Sequence, residues 1–337
     1  MKKYKVGIIG AGRIGKVHGS SITYNIPNAD IKSVSDIHLD GVKEWADKLG
    51  VENVFSDYND ILNDPEIDAV LVCSSTDTHA EISIAAAKAG KHIFCEKPID
   101  LDLDRIDNVL KAVEEAGVKF QVGFNRRFDH NFARINQVTK DGVIGEPHII
   151  KITSRDPEPP PIAYVKVSGG MFLDMTIHDF DMARFQAGSE VTEVFVVGGS
   201  LVDPEIGKAG DVDTAIITLK FENGAMAVID NSRKAVYGYD QRVEVFGSKG
   251  SIEAFNDTST NTVLRTAESV TQDKPLYFFL ERYMESFTEE MKQFFEAVAN
   301  DTETPVKGID GLNSVIIGLA AKKSLKENRP VKISEIR

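Results

Sequence analysis

Chemistry is densest in the segment Gly169-Gly170-Met171-Phe172-Leu173-Asp174-Met175-Thr176-Ile177-His178-Asp179-Phe180-Asp181. Spacings of four and three residues predict that Asp174, His178 and Asp181 share one face if the segment is helical. A carboxylate one turn from an imidazole fixes the ring and raises its basicity, as a general base near neutral pH requires. The same groups also suit a surface ion pair or a divalent ion; the reading adopted takes no metal. A second candidate is Glu96-Lys97-Pro98. Pro98 biases Lys97 toward an extended backbone, which would aim the ammonium into the crevice at the strand's carboxyl end. A third is Gly10-Ala11-Gly12-Arg13-Ile14-Gly15, with Asp36 21 residues beyond Gly15. These are the spacings of a dinucleotide fingerprint: glycines for a tight turn and close approach to a pyrophosphate, and an acid for the ribose hydroxyls. A carboxylate at 36 repels a 2′-phosphate, so NAD is expected over NADP.

Such groups need a scaffold that delivers them to one place. Short apolar runs at Val6 to Ile9, Ile31 to Val34, Val54-Phe55, Ala69 to Cys73, His92 to Cys95 and Phe120 to Val122 alternate with helical patterns such as Thr78 to Ala89 and Leu103 to Ala116. Six strands separated by helices predict a doubly wound parallel sheet, an α/β Rossmann domain over 1–123. The glycine loop follows its first strand, Asp36 its second and Lys97 its fifth, all at carboxyl ends where ligands bind.

From 124 to 337 the texture changes to an α+β domain on an open mixed or antiparallel sheet. A helix is expected over about Asn131 to Lys140, then a proline-rich loop at Asp156 to Pro161. Asn223-Gly224 predicts a two-residue hairpin between Ile216 to Phe221 and Ala225 to Ile229, and Ser248-Lys249-Gly250 another turn. Two late helices are expected over about Leu280 to Ala299 and Leu312 to Leu325. Further polar candidates are Asn125-Arg126-Arg127 after the sixth strand, Arg155-Asp156 before the prolines, and Tyr237-Gly238-Tyr239-Asp240.

Composition narrows the partners. The 337 residues are 42% hydrophobic and carry a formal charge of -13, enough apolar content for two cores and the wrong sign for phosphate backbones or anionic lipid. No nucleic acid is expected, and no membrane, because no apolar run approaches the roughly 20 residues of a span. Two cysteines, Cys73 and Cys95, give neither a disulfide framework nor a zinc site. With no signal peptide legible in Met1 to Lys5 and the glycine-rich run behind it, a cytoplasmic enzyme of small molecules is expected.

Taken together, the glycine fingerprint, Glu96-Lys97-Pro98, and Gly169-Gly170 followed by Asp174 and His178 resemble the Gfo/Idh/MocA family of NAD(P)-dependent oxidoreductases over essentially the whole chain. Within it, Phe94-Cys95-Glu96-Lys97-Pro98, Val122-Gly123-Phe124 leading to Arg126-Arg127, Ile144-Gly145-Glu146-Pro147 and Tyr237-Gly238-Tyr239-Asp240 are similar to the members that oxidise inositols. The resemblance implies a catalytic trio of Lys97, Asp174 and His178. It implies cofactor contacts from Gly10, Gly12, Arg13, Ile14, Gly15, Asp36, Ser74, Thr76, His79, Glu96 and Lys97. Lys97, Arg127, Asp156, Asp174, His178 and Tyr239 are the expected substrate contacts. The expected reaction is NAD-dependent oxidation of a ring hydroxyl of a cyclic polyol to a ketone, myo-inositol to its 2-ketone first, by hydride transfer to nicotinamide. A homo-oligomer built on the open sheet, commonly a tetramer, is implied as well. Alternatives are the same chemistry on scyllo-inositol, glucose or another cyclic sugar, and a non-catalytic NAD-binding regulator, which the intact Lys97, Asp174 and His178 oppose.

Overall fold

A computed structural model describes residues 2–337. The chain forms two compact units: one contains the chain through Phe128 and Glu285–Asn313, the other Asp129–Met284 and Ser314–Arg337.

In the first unit the apolar runs become β1 (Tyr4–Ile9), β2 (Ala29–Ser35), β3 (Asn53–Phe55), β4 (Ala69–Val72), β5 (His92–Cys95) and β6 (Phe120–Val122). All pair in parallel, in the order β3-β2-β1-β4-β5-β6. Every residue of β4 is buried, as expected of an inner parallel strand covered on both faces. The direction of winding reverses between β1 and β4, which opens a crevice at their carboxyl ends. Between the strands, the Leu103–Ala116 helix starts where Asp102 accepts the amide N–H of Arg105 and stops at Gly117, φ 63°.

The late helical pattern expected from Leu280 divides into Phe279–Arg282 and Met284–Asn300. Met291, Phe294, Phe295 and Val298 of the longer helix join one apolar cluster with Val6, Ile8, Leu71 and Phe94. Each such side chain contributes about 1.5–3 kcal/mol by leaving water, which ties a sequence-distant segment to the sheet.

The second unit carries β7 (Pro147–Arg155), β8 (Val191–Gly199), β9 (Thr214–Phe221), β10 (Met226–Ser232), β11 (Asp240–Gly247), β12 (Gly250–Ala254), a small hairpin of β13 (Val263–Arg265) and β14 (Val270–Gln272), and β15 (Val331–Lys332). Seven of them make a sheet ordered β12-β11-β7-β10-β9-β8-β15, mixed because β7 and β10 run parallel. The β9–β10 connection is one residue longer than Asn223-Gly224 suggests. Lys220 pairs with Met226 and the Phe221 N–H donates to the Ala225 carbonyl, leaving Glu222, Asn223 and Gly224 as a three-residue loop. Gly224, φ 87°, occupies the left-handed position that closes such a loop.

Candidate functional site

The glycine loop of the first unit is shaped by close approach. Gly10, φ 97°, passes so near β4 that a Cβ there would lie 2.5 Å from the main chain of Cys73 and Ser74, and one on Gly15 would lie 2.0 Å from the Gly10 carbonyl. A Cβ on Gly12 would meet nothing within 4 Å. Gly12 caps the Arg13–Asn25 helix, whose amide end has no side-chain cap and no acid in its first turn. Asp36 Oδ2 accepts the Ala11 N–H at 2.7 Å and Oδ1 that of His38 at 2.8 Å. An open backbone floor, an uncapped helix N-terminus and a carboxylate at its rim fit a dinucleotide pyrophosphate and ribose. Arg13 is exposed and Ile14 half-buried at the same helix start.

The next loops of this edge carry the remaining first-unit candidates. The Ser74 hydroxyl is 2.7 Å from that of Thr78, and Thr76 opens the Thr76–Lys88 helix. His79 is buried beneath them, its ring nitrogens 2.8 Å from the Pro98 carbonyl and 3.0 Å from that of Ser74. It ties the two loops together. Lys97 is half-buried and its peptide to Pro98 is cis. Glu96 Oε1 lies 2.7 Å from His18 Nε2. Arg127 lies in the short 3-10 turn Asn125–Phe128 and pairs with Asp310 at 3.0 Å.

In the second unit the Gly169–Asp181 segment departs from the expected single helix. It forms Met171–Asp174, a break at Met175-Thr176, and then Ile177–Ala187. The Thr176 N–H reaches back to the Met171 carbonyl, while the Thr176 hydroxyl donates to Asn231 Oδ1 at 2.6 Å. Asn231 in turn donates to buried Asp179 at 2.9 Å. This pull toward β10 interrupts the helical repeat, so Asp174 and His178 belong to separate helices. Asp181 is buried beside Arg184, 3.8 Å away, in a structural pair.

Asp174 is held by groups the motif did not reveal. Its Oδ1 accepts from the Tyr164 hydroxyl at 2.9 Å and its Oδ2 from Arg233 at 3.0 Å, while the same guanidinium reaches Asp156 at 3.3 Å. Burial opposes the charge on Arg233, but Asp174 and Asp156 outweigh it and raise the pKa. Two carboxyl groups thus flank a permanent cation. Beneath them, the Met171 N–H donates to Asp211, fixing the start of the segment. His178 is half-buried; Tyr239 is buried, edge-on to Tyr283 with centroids 5.8 Å apart. Arg233 lies just past β10, where an arginine reads as an ordinary strand-end charge, so only the fold marks it.

Residues 4–124 match the model of an oxidoreductase family with an NAD-binding Rossmann fold, and 132–253 match the GFO/IDH/MocA C-terminal domain. The chain belongs to the Gfo/Idh/MocA oxidoreductases. It is 56% identical to the uncharacterized oxidoreductase YrbE of Bacillus subtilis, over 98% of this chain and 97% of that protein. It is 52% identical to a myo-inositol 2-dehydrogenase of Thermotoga maritima, over 98% and 99% respectively. A crystal structure of scyllo-inositol dehydrogenase from Lactobacillus casei with bound cofactor NAD(H) and scyllo-inositol superposes with a TM-score of 0.92 at 31% identity, covering 99% of this chain and 100% of that one. Among the described residues no helix is long and apolar enough to cross a membrane.

Proposed function

We propose that this chain oxidises one ring hydroxyl of an inositol, myo-inositol first, to the ketone with NAD. The 52% identity to the Thermotoga myo-inositol 2-dehydrogenase along nearly the whole of both chains carries this reading. NAD, when bound, supplies the acceptor for the hydrogen and electron pair that leave the carbinol carbon. His178 takes the hydroxyl proton, and Lys97 donates a hydrogen bond to the same oxygen as alkoxide charge develops. Asp174, fixed by Arg233 and Tyr164, orients His178 or accepts from a neighbouring hydroxyl. Arg127, Asp156 and Tyr239 serve the other hydroxyls of the polyol. On the cofactor side, Gly10, Gly12, Arg13, Ile14 and Gly15 receive the pyrophosphate and Asp36 the ribose, while Ser74, Thr76, His79 and Glu96 shape the adjoining loops. Residues 1–123 thereby serve NAD and supply Lys97, and 124–337 supply the other polyol contacts.

A tetramer is part of the proposal. The pairing register puts Val197, Ile216, Met226, Ile149 and Phe246 on one sheet face, and four of them are exposed large apolar residues. They fall in two groups, Val197 with Ile216 and Met226 with Ile149 and Phe246, and exposed apolar side chains gathered on one sheet face favour association. A cytoplasmic role in inositol breakdown completes the reading. NADH absorbance with myo-inositol, scyllo-inositol and glucose, run with NAD and NADP, tests it: turnover fastest with myo-inositol and NAD supports the assignment, and no turnover with any polyol overturns it. H178A should lose about a hundredfold or more in kcat, and wild-type turnover in that variant would remove His178 from the base role.

A further inference from the structure

The reaction proposed above uses Lys97 but leaves unexplained a buried cluster behind it. His18 on the Arg13–Asn25 helix, Glu96 after β5 and Glu290 on the Met284–Asn300 helix bring one ring nitrogen and two carboxyl oxygens within 4.8 Å of one another. His18 Nε2 is 2.7 Å from Glu96 Oε1 and 3.9 Å from Glu290 Oε1. His18 and Glu290 have no exposed side-chain surface, and among the described residues neither carboxyl oxygen of Glu290 has a hydrogen-bond partner. The other oxygen of Glu96 accepts the Lys97 main-chain N–H at 3.3 Å. From β6, a Cβ on Gly123 would come within 3.0 Å of the Glu96 carboxyl, so that side chain is closely confined.

We propose that Glu290 is a positioning residue for Lys97: it shares one proton with the His18–Glu96 pair, locking the carboxylate that holds the Lys97 amide. This rests on the reading of Lys97 given above. The groups facing Glu290 are His18 from the first helix, Glu96 from the loop after β5 and the Cys73 thiol at the end of β4, which feels both carboxyls. Among these His18 alone can carry positive charge. Two ionised carboxylates against one imidazole would leave a sealed negative charge unpaired, an arrangement that costs several kcal/mol. One carboxyl therefore keeps its proton. Burial first, and the Glu96 charge second, push Glu290 well above the usual carboxyl range. With no partner within hydrogen-bond distance among the described residues, the neutral acid reaches the His18–Glu96 pair through a bridging water.

The test compares E290Q, E290L and K97M in the full-length enzyme with NAD and myo-inositol. Gln mimics the neutral acid, and Leu keeps the volume without the hydrogen bond. E290L should fold and lose about tenfold in kcat with little change in either KM, whereas E290Q restores kcat. The protonation is read separately from melting curves. The native chain holds a proton that the unfolded chain has released, so wild-type stability falls as pH climbs above the ordinary carboxyl value toward the folded one. E290Q lacks that loss, so its melting temperature relative to wild type should rise steadily from about pH 5 to about pH 8. Parallel curves would show that Glu290 is ionised and overturn the proposal, as would an E290L enzyme with wild-type kcat or a stoichiometric divalent metal that disappears in E290Q. K97M with undiminished turnover would overturn the Lys97 assignment instead, while the melting curves still decide the proton.

Discussion

Each unit sets one nitrogen-bearing side chain between two carboxyl groups, and the two solve the charge problem differently. In the second unit Arg233 stands between Asp174 and Asp156 and cannot lose its proton, and each acid is met by a separate guanidinium nitrogen. In the first, His18 stands between Glu96 and Glu290 and carries no obligatory charge, so the cluster avoids a sealed, unpaired negative charge only when a carboxyl is neutral. The centre decides the behaviour. A guanidinium gives a fixed carboxylate whose charge is constant over working pH, suited to orienting a base or a hydroxyl. An imidazole gives a group whose hydrogen bonds follow proton count, suited to a support that is set once and left sealed.

Removing the fixed centre should have the largest effect. R233M leaves Asp174 and Asp156 without their counter-charge in a site where the arginine is 4% exposed. Breaking one side of a buried pair costs about 3–5 kcal/mol, so urea unfolding should show a loss of that size. A loss below about 1 kcal/mol would mean that water already screens the two acids and that the contrast between the units is false.

R233K sharpens the point, because it keeps the charge and removes the planar fork. One ammonium cannot reproduce two directed N–H contacts to separate carboxylates. The expected loss is about 1–2 kcal/mol, intermediate between wild type and R233M, measured in the same urea series. Equality of R233K with wild type would assign the role to charge alone.

How far the sequence foresaw these clusters follows from what kind of information each needs. All six strands of the first sheet were legible because a parallel strand buried on both faces must be a short unbroken apolar run, as Ala69–Val72 is. The glycine loop was legible because its backbone demands are local. The Asp174–His178 geometry was not. Spacing alone implied one helix, and the break comes from Asn231 on β10 pulling on Thr176, a contact 55 residues away in sequence. Arg233 was invisible for the same reason. Glu290 did leave a trace: it falls on the apolar stripe with Phe287, Met291 and Phe294, where an acid is out of pattern. His18 likewise sits three residues beyond Gly15 on the buried face of its helix.

A smaller effect is expected at the rim of the second cluster. Tyr164 donates to Asp174 from a position that is 47% exposed, so water can replace it when the hydroxyl is lost. Y164F should therefore cost about 0.5 kcal/mol in stability. If the hydroxyl also steers the carboxylate, KM for the polyol should rise about two- to threefold, the same energy expressed in binding. A tenfold or greater loss of kcat would instead make Tyr164, more than Arg233, the group that fixes Asp174.

The smallest response separates the two units without any substitution. Both cysteines, Cys73 and Cys95, are buried in the first unit, and the second has none. Burial pushes the Cys95 thiol up to about 12, and Cys73 is raised well above its usual value by burial and by the Glu96 charge beside it. Reaction with iodoacetamide requires thiolate and access, so at about pH 8 the native enzyme should show essentially no alkylation while the denatured chain takes two labels. Labelling of the folded protein then reports opening of the first unit alone. Its rate should stay unchanged in R233M under conditions where that variant remains folded, if the second unit's cluster is energetically separate. It should rise in E290L if Glu290 helps to seal the space around Cys73. A rise in R233M would show that the guanidinium site and the buried imidazole site are coupled, and the two solutions to the charge problem would have to be treated as one.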